Sequence, residues 1–176
     1  MNRNICIYQE FLTEAHKDRI RETARRTGFT PHFFNLDQFE EAKDCLQHCE
    51  VLYAHSADLL RAAPATLKWY CCSFAGVDLY CKDPGLFANP DCLLTNSNVY
   101  GVTIAEHVVM VTLMLLRRMP EYEERVRRRE WRAGLPIRSI RDGRFTILGA
   151  GHIGGRIAED LKGMGAAHVT GVSRSG

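Results

Sequence analysis

At 176 residues, with 45% hydrophobic and 25% charged side chains, the chain has the composition of a globular protein and room for one domain plus part of another. A formal charge of +2 gives no general attraction to nucleic acid or acidic partners. The seven cysteines lack disulfide-scaffold spacing and follow no signal-peptide pattern, so reduced cytoplasmic thiols are expected, and no apolar run is long enough to span a membrane.

In chain order, Asn4–Tyr8 reads as a strand and Thr13–Arg26 as an amphipathic helix capped by Thr13 and ended by Gly28. A second strand, Thr30–Asn35, carries Pro31 near its start. Gln38–Cys49 reads as a helix on which Cys45, His48 and Cys49 share a face. Without a second ligand pair these are expected to be half-buried helix residues, and no metal site is expected. Val51–His55 is a third strand, followed by a short helix to Arg61 with Ser56 as its cap. Leu67–Cys72 and Cys92–Thr95 are the fourth and fifth, with the vicinal Cys71 and Cys72 read as packing. Strands alternating with helices imply parallel pairing and a sheet covered on both faces.

One long helix is expected from about Thr103 to Arg129. Its first half, around Val108–Leu116, is apolar enough to be buried, and its second half is nearly all charge. Adjacent residues on a helix do not share a face, which makes Glu106 and His107 structural rather than an acid–base or metal pair. Glu121, Glu123, Glu124 and Glu130 dilute the arginines of Arg117–Arg132, so a solvated face with ion pairs is expected there and not a nucleic-acid surface. Gly134–Ile137 is a loop and Asp142-Gly143 a turn. The domain boundary is placed between Asn96 and Gly101.

The strongest motif is Gly149-Ala150-Gly151-His152-Ile153-Gly154, between a strand (Arg144–Leu148) and a helix (Gly155–Met164), with a further strand at His168–Val172. That is the context of a dinucleotide-binding fingerprint. Gly149 permits the tight turn, Gly151 lets backbone approach a pyrophosphate, and Gly154 lets helix and strand pack closely. The helix start offers unpaired N–H groups to phosphate, and His152 and Ile153 contribute through their backbone. An NAD-preferring unit ends its second strand in Asp or Glu. Here Ser173-Arg174-Ser175 stands there, and its arginine fork with two hydroxyls suits a 2′-phosphate. NADP is therefore the expected cofactor, with NAD as the alternative and a plain surface turn as the structural reading.

Three segments in order resemble the D-isomer-specific 2-hydroxyacid dehydrogenase family: Leu67–Asp78 with its Ala75-Gly76-Val77-Asp78 loop, Thr95-Asn96 with Val102–His107 and the helix to Arg118, and Arg144–Gly154 with Gly163-Met164-Gly165. The resemblance covers the N-terminal part of the family and leans toward its NADP-linked, glyoxylate/hydroxypyruvate reductase-like members. It implies an α/β fold: a flavodoxin-like doubly wound substrate domain at residues 1–97, then the incomplete start of a Rossmann domain at 101–176, with the active site between the two. It also implies that backbone N–H groups of Ala75, Gly76, Val77 and Asp78 hold a substrate carboxylate, the structural alternative being a strand-to-helix turn capped by Asp78. His55 is open to two readings, a polar residue facing the substrate and a satisfied structural histidine. Thr103 is similarly open to a place near the nicotinamide and to the role of helix N-cap.

By resemblance the protein is an enzyme moving a hydride between a nicotinamide and a small 2-keto or 2-hydroxy acid, and a homodimer through the 103–132 helix and arm. Such chemistry needs a cation and a histidine. The family's Arg, Glu and His segments have no match here, so no catalytic residue is assigned and the chain alone is expected to be inactive. The alternatives are a non-catalytic nucleotide-binding or dimerising fragment and a corepressor-like scaffold on the same fold.

Overall fold

The computed structural model describes residues 3–132 and 134–174. They form two compact units, Met1–Asn98 and Val99–Gly176. In the first, β1 (Arg3–Tyr8), α1 (Glu14–Thr27), β2 (Phe29–Phe34), α2 (Phe39–Leu46), β3 (Val51–Ala54), α3 (Ala57–Arg61), β4 (Trp69–Cys72), α4 (Asp78–Lys82) and β5 (Leu93–Thr95) follow one another. The five strands are all parallel, in the order β2-β1-β3-β4-β5. This is the doubly wound, flavodoxin-like order.

Strand parity sorts the side chains. Cys6, Tyr8, Leu52, Ala54, Tyr70 and Cys72 lie on one face, buried against Ala42 and Leu46 of α2, Leu59 and Leu60 of α3, and Tyr80 of α4. Ile5, Val51, Tyr53, Trp69 and Cys71 lie on the other, along an apolar groove beside α1 that Phe11 and Ile20 also line. Period-2 alternation across parallel strands in register sends each set to one side. Pro31 is tolerated because β2 is an edge strand. The caps work as their residues dictate. Thr13 accepts from His16 N–H while the His16 ring reaches back to the Thr13 amide, and Gly28 closes α1 at φ 75°.

The second unit contains α5 (Gly101–Leu116), α6 (Met119–Arg127), β6 (Arg144–Leu148), α7 (His152–Gly163) and β7 (His168–Val172), with β6 and β7 parallel. Its buried cluster is Ala105, Ile140, Ile157 and Leu161, with Val109, Leu113, Phe145 and Ile147 packed around it. The single helix expected over 103–129 is instead two. Pro120 has no N–H to give the Leu116 carbonyl four residues back, and its ring would clash there. Leu116 O accepts from Arg138 N–H at 2.8 Å instead, and Arg118 turns the chain at φ 59°. The helix also starts earlier than expected, with Tyr100 as N-cap. Likewise α2 ends at Leu46, which leaves His48 and Cys49 beyond it. Among the described residues no helix is long and apolar enough to cross a membrane, and no cluster of His, Cys, Asp and Glu could hold a metal.

Candidate functional site

The glycine turn joins β6 to α7, and each glycine meets a separate constraint. Gly149 has φ 94°, a conformation L side chains rarely adopt. A Cβ on Gly154 would lie 2.1 Å from the Gly149 carbonyl oxygen, so the start of α7 packs on the turn only because that atom is missing. A Cβ on Gly151 would meet nothing within 4 Å, which leaves open space in front of the backbone at the helix N-cap. Gly149 and Ala150 spend their N–H groups on Val172 O at 2.8 and 3.2 Å. Among the described residues, the N–H groups of Gly151, His152, Ile153 and Gly154 have no backbone acceptor. They lie at the positive end of a 12-residue helix, with Gly151, His152 and Ile153 exposed and Gly154 buried against the turn. The arrangement fits a dinucleotide pyrophosphate: a cradle without side chains, free donors and a helix dipole.

The bonds to Val172 O also bring the end of β7 onto the turn. Gly171 permits this, since a Cβ there would lie 2.8 Å from the Ala150 methyl. Ser173 and the exposed Arg174 follow directly, while Ser175 lies outside the described residues. The His152 ring lies against Gly101, where a Cβ would come within 2.6 Å of it. Thr103 is not the helix N-cap: it sits in the first turn of α5, its hydroxyl donating to Tyr100 O at 3.2 Å.

In the other unit, the strand ends carry the polar residues. Gln9, after β1, donates from Nε2 to Ser73 Oγ, after β4, at 2.6 Å, and both are buried. His55 follows β3 and is exposed, stacked on Phe74 at 4.3 Å between ring centroids. Its Nδ1 lies 3.3 Å from Tyr80 Oη and 3.6 Å from Cys72 Sγ. Burial pushes both of those groups above their ordinary pKa values, so they keep their protons. Phe74 leads into Ala75–Asp78, where Asn96 Nδ2 donates to Ala75 O at 2.6 Å and Ser97 N–H to Phe74 O at 3.2 Å. Among the described residues no backbone acceptor takes the N–H groups of Ala75, Gly76 or Val77. Asp78 does not cap α4, whose N-cap is Val77 with no side-chain bond.

The structure therefore gathers His55 with the approach to the Ala75–Asp78 loop in one unit. Gly149, Gly151, His152, Ile153 and Gly154 gather with Ser173 and Arg174 in the other. From sequence Cys72 is read only as packing, and Tyr80, Gln9 and Ser73 are not singled out. For Cys72, Gln9 and Ser73 the available signal is that they end, or directly follow, their strands.

Residues 109–176 match the family model described as "D-isomer specific 2-hydroxyacid dehydrogenase, NAD binding domain". A curated D-lactate dehydrogenase of Staphylococcus aureus is 34% identical over 95 residues, which are 52% of this chain and 28% of that protein. A crystal structure of a D-isomer specific 2-hydroxyacid dehydrogenase family protein from Aeromonas salmonicida superposes over the whole chain, with a TM-score of 0.79 and 28% identity, and covers 55% of that protein. An NADPH-dependent glyoxylate/hydroxypyruvate reductase from Sinorhizobium meliloti, solved with NADP and sulfate, shares the fold at a TM-score of 0.73 and 23% identity, over 99% of this chain and 58% of that one. The chain thus spans little more than half the length of these solved relatives. Sequence and fold agree across these comparisons: residues 109–176 match the NAD-binding-domain model of the D-isomer-specific 2-hydroxyacid dehydrogenase family, and the whole chain shares the fold of a solved protein of that family, part of whose length it spans.

Proposed function

We propose that the Gly149–Gly154 turn holds the pyrophosphate of a nicotinamide dinucleotide, and that the protein interconverts small 2-keto and 2-hydroxy acids as an oxidoreductase. The observation that carries this reading is the turn itself, with Gly154 closed against Gly149, Gly151 open, and free amides at the start of α7. Bound there, the nicotinamide would supply or accept the hydride. The chain's own residues bind and orient: backbone N–H groups of Gly151, His152, Ile153 and Gly154 take phosphate oxygens, and Thr103 is assigned to the nicotinamide side by family resemblance alone. Residues 1–97 act as the substrate-side domain and 101–176 as part of the nucleotide domain. On the substrate side, the free amides of Ala75, Gly76 and Val77 and the exposed His55 ring suit a small carboxylate, with Asp78 completing the loop.

NADP is the preferred cofactor in this reading. Arg174 is two residues from the carbonyl that anchors the turn, and the strand end carries no carboxylate to hold a ribose 2′-hydroxyl. A homodimer through α5, α6 and the arm to residue 132 is part of the same proposal, supported by the fully exposed Trp131 and the exposed Val126 and Leu115. Titration of the chain with NADPH and NADH tests the cofactor assignment. NADPH should bind more tightly, and Arg174→Ala should abolish the preference. Tighter NADH binding, unchanged in Arg174→Ala, would refute it. The same preparation is expected not to oxidise NADPH with glyoxylate, hydroxypyruvate or pyruvate, since no residue of the chain matches the family's Arg, Glu and His.

A further inference from the structure

Of the seven cysteines, Cys45 and Cys49 stand apart as a pair. Cys45 is half-buried on α2, one residue before its end, and Cys49 is 1% exposed in the irregular segment that leads into β3. Their sulfurs lie 3.8 Å apart, and the Cys49 sulfur is also 3.2 Å from the Cys45 carbonyl oxygen. Among the described residues no other two cysteines make a thiol–thiol hydrogen bond. Cys6 is fully buried with its thiol directed at Ala42 O at 3.6 Å, and the vicinal Cys71 and Cys72 lie on opposite faces of β4.

The end of α2 brings the two together. Beyond Leu46 the helical bonds give way to tighter ones, His48 N–H to Cys45 O and Cys49 N–H to Leu46 O, both at 3.0 Å. They curl the chain back over Cys45, and Cys49, outside the helix, has no helical rotamer imposed on it. A disulfide needs its sulfurs at about 2.05 Å, so the contact closes by a little under about 2 Å, which rotation about the two Cα–Cβ bonds covers. The difference in exposure gives the two sulfurs different roles, since a water-sized oxidant reaches Cys45 and not Cys49. Burial raises both thiols above their ordinary pKa. The contact with Cys49 offsets part of that at Cys45, while the neighbouring Cys45 raises Cys49 further. Cys45 is thus the sulfur that ionises first.

We infer that Cys45 and Cys49 form a peroxide-sensitive dithiol site on the first unit, with Cys45 the attacking sulfur and Cys49 the resolving one. Hydrogen peroxide is the oxidant. The Cys45 thiolate attacks one peroxide oxygen and the O–O bond breaks. The departing hydroxide takes up the proton that Cys45 lost and leaves as water, with a sulfenic acid at Cys45. The Cys49 sulfur then attacks the Cys45 sulfur, the S–O bond breaks, and the hydroxyl leaves with the Cys49 proton as a second water. Two thiols and one peroxide give one disulfide and two waters, both sulfurs being oxidised and both peroxide oxygens reduced. Because Cys49 is already in contact with Cys45, the sulfenic acid is consumed before more peroxide carries it to sulfinic acid. Neither cysteine belongs to the groups assigned to dinucleotide or carboxylate binding, so the site does not depend on that reading.

Tryptic cleavage after Lys43 and Arg61 releases both residues in one peptide, 44–61, which holds no other cysteine. The folded chain is treated with hydrogen peroxide at mildly alkaline pH, its remaining thiols are alkylated, and the peptide is measured by mass spectrometry. The expected product carries no alkyl group and lacks two hydrogens, and reduction before alkylation restores two alkyl groups. In Cys49→Ser, dimedone should trap a sulfenic acid at Cys45, whereas in Cys45→Ser the Cys49 thiol should stay free. Both cysteines still alkylated in the wild type, a sulfinic acid in place of the bridge, or a bridge from either residue to Cys6, overturns the pairing. A sulfenic acid trapped at Cys49 in Cys45→Ser overturns the order of attack. The wild-type mapping decides the pairing even if a variant fails to fold.

Discussion

Gly151 and Gly154, three residues apart in one turn, make opposite demands on a substituted side chain. At Gly154 a Cβ would collide with the Gly149 carbonyl at 2.1 Å, and backbone cannot move aside as a flexible side chain can. Gly154→Ala is therefore expected to lower the stability of the second unit by about 1–3 kcal/mol, as overpacking does. Gly151 has φ −78°, ordinary for alanine, and faces open space, so Gly151→Ala should leave the melting temperature unchanged. Thermal melts of the two variants check this, and equal destabilisation would contradict the geometry. At this scale the glycine turn is legible in the sequence because its constraints are local and fall within six residues. The environment of His55 is not. Its Nδ1 partners lie 17 and 25 residues away, brought to it by the end of β4 and by the five-residue α4, which has no periodicity long enough to announce it.

At the scale of elements, α3 begins directly after His55, and Ser56 starts it by accepting from Leu59 N–H at 3.1 Å. Ser56→Ala should cost about 1 kcal/mol of stability, typical of a lost N-cap. The Ser56 backbone N–H, which donates to Tyr70 Oη at 3.4 Å, would be retained. Chemical denaturation checks the cost, and no change in midpoint would deny the cap its role. The cap is readable from sequence because Ser56 follows a strand and precedes apolar residues at helical spacing. The ends of α2 and α5 are not read correctly, for different reasons. The apolar pattern continues through Cys49 although the chain has already left the helix at Gln47. The pattern also runs past Pro120, whose missing N–H divides α5 from α6. Hydrophobic periodicity tracks which side chains are buried and is blind to where the backbone hydrogen bonds stop.

At the scale of the whole molecule, the parallel α/β architecture is legible because alternating strand and helix signals leave few other solutions. The faces that remain exposed cannot be read in that way. On α5, Ala105, Val109 and Leu113 pack in the core of the second unit, while Ile104, Val111 and Leu115 form a second, exposed stripe along the same helix. An apolar helix with two such stripes reads from sequence as simply buried. If α5 and the arm join two copies, as proposed, Val111→Glu with Leu115→Glu should turn a dimer into a monomer in sedimentation equilibrium while the circular dichroism spectrum is kept. A wild-type chain that sediments as a monomer at the same concentration would rule the interface out.

In the proposed function the open backbone at Gly151 is where a dinucleotide pyrophosphate lies. Calorimetric titration of NADPH into the wild-type chain and into Gly151→Ala tests it most directly, since the substitution fills only the space the phosphates would use. A saturable single site is expected in the wild type, weakened about tenfold or more in Gly151→Ala, a loss of at least about 1.4 kcal/mol, at an unchanged melting temperature. Equal NADPH affinity in the two proteins would contradict it.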